Sequence, residues 1–181
     1  MTERDEVIKE LAAYTAHPPV FSENAYFHAK LSFLDALSCA FSALQFPECS
    51  RLLGPWTEED AAPHGVRVIG TPYRLNLTQA AFQTGALIRW LDYNDTFLAK
   101  EWAHPSDNLG MLLPLFYHLS KKQPHLTLKE LFTALIQTYE IQGSLALKNS
   151  FNRFGLDHVF LVKIACSAVA TKLLGGNEDE I

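Results

Sequence analysis

The chain has 181 residues, 48% of them hydrophobic, and a formal net charge of −5. That length suits one globular domain burying ~70% of its unfolded surface, and the lack of a basic stripe argues against a nucleic-acid partner. No apolar run approaches the ~20 residues of a membrane span, and the charged opening from Met1 to Lys9 is no signal peptide.

Three cysteines, Cys39, Cys49 and Cys166, lack metal-ligand spacing. Their odd count, with no secretory segment, predicts a reducing, cytoplasmic setting. Residues 3–16 read as a short amphipathic helix with Val7, Ile8, Leu11 and Ala12 inward, stopped at His17-Pro18-Pro19. Ser22 is the expected N-cap of a long helix to about Leu44. Its apolar set (Leu31, Phe33, Leu34, Leu37, Ala40, Phe41) surrounds much of the circumference, which predicts deep burial. Asp35 inside it then reads as a partnered core carboxylate. From Pro47 to Pro63 a short helix and an acidic loop are expected. Val66 to Ile69 alternates like a small strand, with Gly70-Thr71-Pro72 as its turn.

Thr78 is the expected cap of a helix running to Thr96, which would place Arg89, Asp92 and Thr96 on one face and turn Asp95 towards the flank. Pro105 to about Ser120 reads as the next helix, with Pro at its first position and a kink at Pro114. Thr127 and Glu130 form a capping box for a helix to about Leu147, in which Gly143 implies close helix packing rather than a stop. A polar loop over 148–156 follows, anchored by Phe151 and Phe154. Asp157 then caps the last full helix, with His158 in its first turn, and Gly175-Gly176 ends it. Asn177 and Glu180 form a further capping box at the opening of an unfinished helix, so a truncated chain is expected.

The densest polar stretch runs from Arg89 to Gly110 between two apolar helical patterns. A carboxylate (Asp92), a hydroxyl (Thr96) and an imidazole (His104) converge there beside a helix start, a place that attracts anions. His158 opens a second such start. An ion-paired helix end with capping histidines has the same spacing, and spacing alone leaves both readings open.

RWLDYNDTFLAKEWAHPSDNLG resembles the signature of the MmgE/PrpD family. So do Glu140-Ile141-Gln142-Gly143, Asn149 to Arg153 and Gly155 to Val159, together with RLLGP (Arg51 to Pro55, with Arg for the family's Lys) and GVRVIGT. The resemblance covers nearly the whole chain in order. It implies a mainly α, helical bundle-like domain, with residues 1–181 as the N-terminal portion of that domain and a smaller α+β lid absent. It also implies loss of water from 2-methylcitrate, a small tricarboxylate, to give 2-methyl-cis-aconitate in propionate breakdown. Citrate dehydration or cis-aconitate decarboxylation would be the neighbouring activities, and a non-catalytic helical assembly module the alternative of another class.

Carried over residue by residue, the family's site implies His104, His158 and Asp92 as catalytic groups and Thr96 as a substrate contact. Lys148, Asn152 and Arg153 are weaker candidates for substrate carboxylates. The reaction needs a base, an acid and anion donors, and histidine suits both proton roles near neutral pH. The resemblance implies no metal and no cofactor, although Asp92, Asp95, Glu101 and His104 offer the donors a hard ion takes. It further implies a homodimer for the full-length protein.

Overall fold

The computed structural model describes residues 5–181. Among these residues are seven α-helices and one small sheet: α1 (Glu6–Ala16), α2 (Glu23–Ala43), α3 (Pro47–Ser50), β1 (Ala61–Arg67), β2 (Arg74–Leu75), α4 (Leu77–Arg89), α5 (Leu109–Ser120), α6 (Leu128–Lys148) and α7 (Phe160–Leu173). The expected start of the first helix at residue 3 lies outside the described residues. None of these helices is long and apolar enough to cross a membrane.

Local chemistry sets most helix starts. The Ser22 hydroxyl accepts the Ala25 N–H at 3.2 Å, and Asp5 does the same for Val7 at 2.8 Å. At α6, Glu130 accepts the Thr127 N–H at 2.7 Å while its own N–H reaches the Thr127 hydroxyl at 3.4 Å, which satisfies two orphan donors at once. Thr127→Ala should therefore cost about 1 kcal/mol, read as a melting temperature lower by ~2–4 °C. Asn177 and Glu180 make the same reciprocal pair near the C-terminus. The cap of α4 is Asn76, which accepts the Gln79 N–H at 2.8 Å, and not Thr78.

Helices α4, α5, α6 and α7 pack around a core that includes Leu87, Leu109, Leu112, Leu135, Ile141, Leu161 and Val169. Where α4 and α5 meet, Gly85 faces Gly110. A Cβ built on Gly110 would lie 2.7 Å from the Gly85 Cα, so the two backbones nearly touch. Pro114 is buried inside α5, where its missing N–H leaves the Gly110 carbonyl without the usual partner.

Three expectations change. Helix α2 buries its small face (Ala29, Ala36, Cys39, Ala40, Ala43) and leaves Leu31, Leu34 and Phe41 about half exposed. Small residues permit closer approach to α4 and α6, so they win the inward face. Asp35 is accordingly exposed and is no core carboxylate. The strand lies over 61–67, pairing Val66 with Leu75 and Arg67 with Arg74, so Val68 and Ile69 belong to the turn. Helix α4 ends at Arg89, not Thr96. Asp92 adopts a left-handed backbone with φ 57°, and its N–H returns to the Arg89 carbonyl at 3.1 Å. Arg89, Asp92 and Thr96 therefore share no helical face.

Candidate active site

The segment after α4 is held by side chains that abandon the helix for tertiary partners. The Asn94 amide donates to the Ser106 hydroxyl at 2.8 Å and to Asp107 Oδ1 at 2.9 Å, and Asp95 Oδ1 accepts the Ser106 N–H at 3.0 Å. Asn and Asp compete with helix wherever such bonds are offered. The chain then closes on itself through an antiparallel bridge between Phe97 and Ala103, with N–H···O distances of 2.8 and 3.0 Å. The Phe97 ring packs on Gly143 of α6, where an added Cβ would come within 3.3 Å of it. Gly143 thus admits a ring of the loop, where close packing against another helix was expected.

This frame aims His104 inward. The residue is buried, and its Nδ1 lies 2.7 Å from the Asp95 carbonyl oxygen. A carbonyl only accepts, so Nδ1 carries the proton in that bond and the neutral ring has its lone pair on Nε2. The ring makes no capping bond to the 3-10 turn over Pro105–Asn108 that it precedes, which removes the capping-histidine reading.

His158 is equally buried. It lies in the turn before α7, where Asp157 Oδ1 accepts the Val159 N–H at 3.0 Å and lies 3.1 Å from His158 Nδ1. The helix therefore begins at Phe160, after the expected cap. Trp102 packs over the His158 ring at 3.9 Å between centroids and meets His104 edge-on at 5.3 Å. The two imidazoles are 5.7 Å apart. Both Nε2 atoms are buried and have no hydrogen-bond partner among the described residues. Buried polar atoms are rarely left so, and two on adjacent rings are the outstanding unmet polar groups of this segment.

Behind the rings, Tyr139 donates its hydroxyl to Asp95 Oδ2 and meets the Ser32 hydroxyl. Burial and the Asp95 charge push the phenol well above its usual range, so it remains a donor. Burial also raises the Asp107 carboxyl, against the pull of the Asn94 bond and of Arg89. Asn108 ties the base of the site to α6 and α7: its amide donates to Gln142 Oε1 at 2.7 Å and its oxygen accepts from Cys166 Sγ at 3.1 Å. Burial and the Asp107 charge push the Cys166 thiol up to about 12, leaving it a protonated packing group.

The structure thus brings His104 and His158 together; the other expected residues are exposed or engaged elsewhere. Asp92 is exposed and ion-paired with Arg89. His104 takes its orienting bond from the Asp95 carbonyl, not from Asp92. Thr96, Arg153 and Lys148 are exposed. Asn152 is committed to Glu101, donating both its backbone N–H and its side-chain amide. The oxygens suggested for a hard ion go to separate partners: Asp92 to Arg89, Asp95 to Ser106 and Tyr139, and Glu101 to Asn152. Asp95, Trp102, Tyr139 and Glu101 had no assigned place at the rings, although Glu101 and Trp102 stand inside the signature that drew attention to the segment.

The sequence model of the MmgE/PrpD N-terminal domain matches residues 9–181. The chain is 49% identical over 185 residues to the 2-methylcitrate dehydratase of Escherichia coli strain K12, covering 99% of this chain and 38% of that protein. It is 46% identical over 182 residues to the 2-methylcitrate dehydratase of Cupriavidus necator, covering 98% of this chain and 38% of that protein. A probable 2-methylcitrate dehydratase of Saccharomyces cerevisiae is 43% identical over 184 residues, with 97% and 36% covered. The chain therefore spans less than two-fifths of the length of these relatives.

Proposed function

We propose, starting from the fact that this chain belongs to the MmgE/PrpD family, that it is the N-terminal portion of a 2-methylcitrate dehydratase. Residues 1–181 then form part of the helical domain, and a lid domain completes the site. The reaction removes water from 2-methylcitrate to give 2-methyl-cis-aconitate. The observation that carries this reading is the pair of buried, unpartnered Nε2 atoms on adjacent rings, in a chain whose relatives are named for that activity.

The chemistry follows from the second nitrogen of each ring. His104 donates its Nδ1–H to the Asp95 carbonyl, so its neutral form presents a lone pair at Nε2 and takes the C–H proton next to a substrate carboxylate. His158 has a carboxylate at Nδ1, so its charged form sits beside a counter-charge and gives its Nε2 proton to the departing hydroxyl. Electrons from the broken C–H bond form the new C=C bond as the C–O bond breaks and water leaves. Thr96, Lys148 and Arg153 are exposed and serve substrate recognition, and Asp92, exposed and paired with Arg89, modulates the proton-transfer pair through its charge. Asn152 contributes through its loop. No metal or cofactor enters this scheme. The complete enzyme is a cytoplasmic homodimer in this reading.

The test is to incubate the complete protein that carries this chain with 2-methylcitrate, and separately with citrate and cis-aconitate. Appearance of the conjugated tricarboxylate from 2-methylcitrate is the expected result. Turnover of citrate or decarboxylation of cis-aconitate in its place would assign the site to a neighbouring reaction.

A further inference from the structure

Glu101 is 2% exposed, and its carboxylate is met by neutral donors from one residue. Oε2 accepts the Asn152 backbone N–H at 2.9 Å, and Oε1 accepts the Asn152 side-chain amide at 2.8 Å. A buried charge held by neutral donors is expensive. An uncharged side chain would cost less to bury, so stability does not account for a glutamate here. Geometry does. A carboxylate accepts two N–H groups side by side, whereas a glutamine would turn its own NH2 towards one of them.

The two segments joined in this way are the ones that carry the imidazoles. Glu101 precedes Trp102, which packs on His158, and lies three residues before His104. Asn152 opens the loop that leads to His158. The Glu101 N–H also donates to the Ala146 carbonyl at 3.0 Å, and Lys100 Nζ to the Lys148 carbonyl at 3.0 Å. These two bonds tie the segment to the end of α6, and the carboxylate, with the Trp102 ring beside it, reaches past α6 to the loop before α7.

We propose that the Glu101–Asn152 clamp is a positioning device that sets the separation of the His104 and His158 imidazoles. The proposal rests on the reading of those two rings as the proton-transfer pair. Neither Glu101 nor Asn152 touches the reacting atoms, and both act through the loops they join.

The test uses the complete protein and four variants. Glu101→Gln sets an amide against an amide. Asn152→Asp sets two carboxylates together. The double variant, Glu101→Gln with Asn152→Asp, restores complementarity: the new amide donates its NH2 to the new carboxylate, and its oxygen accepts the backbone N–H. Asn152→Ala removes one of the two bonds at an exposed position and guards against loss of folding. A misplacement of ~1 Å costs up to ~10²-fold in rate. Each charge-altering single variant should therefore lower kcat by ~10-fold or more with KM changed by less than ~3-fold, and the double variant should recover to within ~3-fold of the parent. Asn152→Ala should fall in between.

Single variants that keep full kcat, or a double variant no better than the singles, would overturn the proposal. An independent readout is the Cε1 resonance of His158 in protein labelled with 13C-histidine, because that ring lies under Trp102. Glu101→Gln should shift it and the double variant should return it. A parent that turns over no 2-methylcitrate would defeat the functional reading alone, since the resonance still reports on the clamp. An unmoved resonance would defeat the clamp alone.

Discussion

With His104 in its proposed role, His104→Gln in the complete protein should lower turnover by ~10²–10⁴, the range for losing a general acid or base. The substitution keeps polarity and approximate size and removes titration near neutral pH. The Asp95 carbonyl, which orients the imidazole at 2.7 Å, stays where it is because its own chain is fixed by Ser106 and Tyr139. Substrate affinity should change much less than turnover, since the ring is asked to move a proton and the groups proposed for recognition are left intact. The helical circular-dichroism signal should be unchanged. If the ring is only structural, turnover stays within a few-fold of the parent and the melting temperature alone falls. Measuring both on one preparation separates the two.

Gly110→Ala should be the most damaging single methyl in the helical frame. Its Cβ would meet the Gly85 Cα at 2.7 Å and the Gly85 nitrogen at 3.1 Å. Both are backbone atoms, so no rotamer relieves the contact and α4 must move from α5. Overpacking of this kind costs ~1–3 kcal/mol, with a backbone clash at the upper end. The better helix propensity of alanine returns about 1 kcal/mol. The net loss of ~2 kcal/mol lowers the melting temperature by ~4–8 °C. Gly85→Ala is the control, because its Cβ would sit at an ordinary 3.7 Å from the Gly110 Cα; it should be neutral or mildly stabilising. Equal losses for the two variants would refute the asymmetry.

Local signals were the legible ones. Ser22, the Thr127–Glu130 box and the Asn177–Glu180 box each involve groups three residues apart, so a window of four residues holds the whole interaction. The end of α4 was not legible, because the bonds that break it reach 11 to 13 residues ahead, from Asp95 and Asn94 to Ser106 and Asp107. The inward face of α2 was not legible either. A helix apolar around much of its girth is oriented by what packs against it, and here alanines gave the closer fit. At the site, His104 and His158 stood out as polar residues at two helix starts. The choice of the Asp95 carbonyl over the Asp92 carboxylate as the partner of His104 depends on one left-handed residue, Asp92. No spacing rule contains that.

The bridge between Phe97 and Ala103 closes residues 98–102 into a small loop of their own. Both ends are pinned to each other by two backbone bonds, and the Phe97 ring anchors the upstream end on α6. Only Leu98 and Ala99 are free of ties to the helices, because Lys100 and Glu101 bind the end of α6 and Glu101 also binds Asn152. The downstream half carries the ring laid over His158, Trp102, together with that carboxylate. A foreign loop grafted between Phe97 and Ala103 therefore has to bring both a ring for His158 and an acceptor for Asn152.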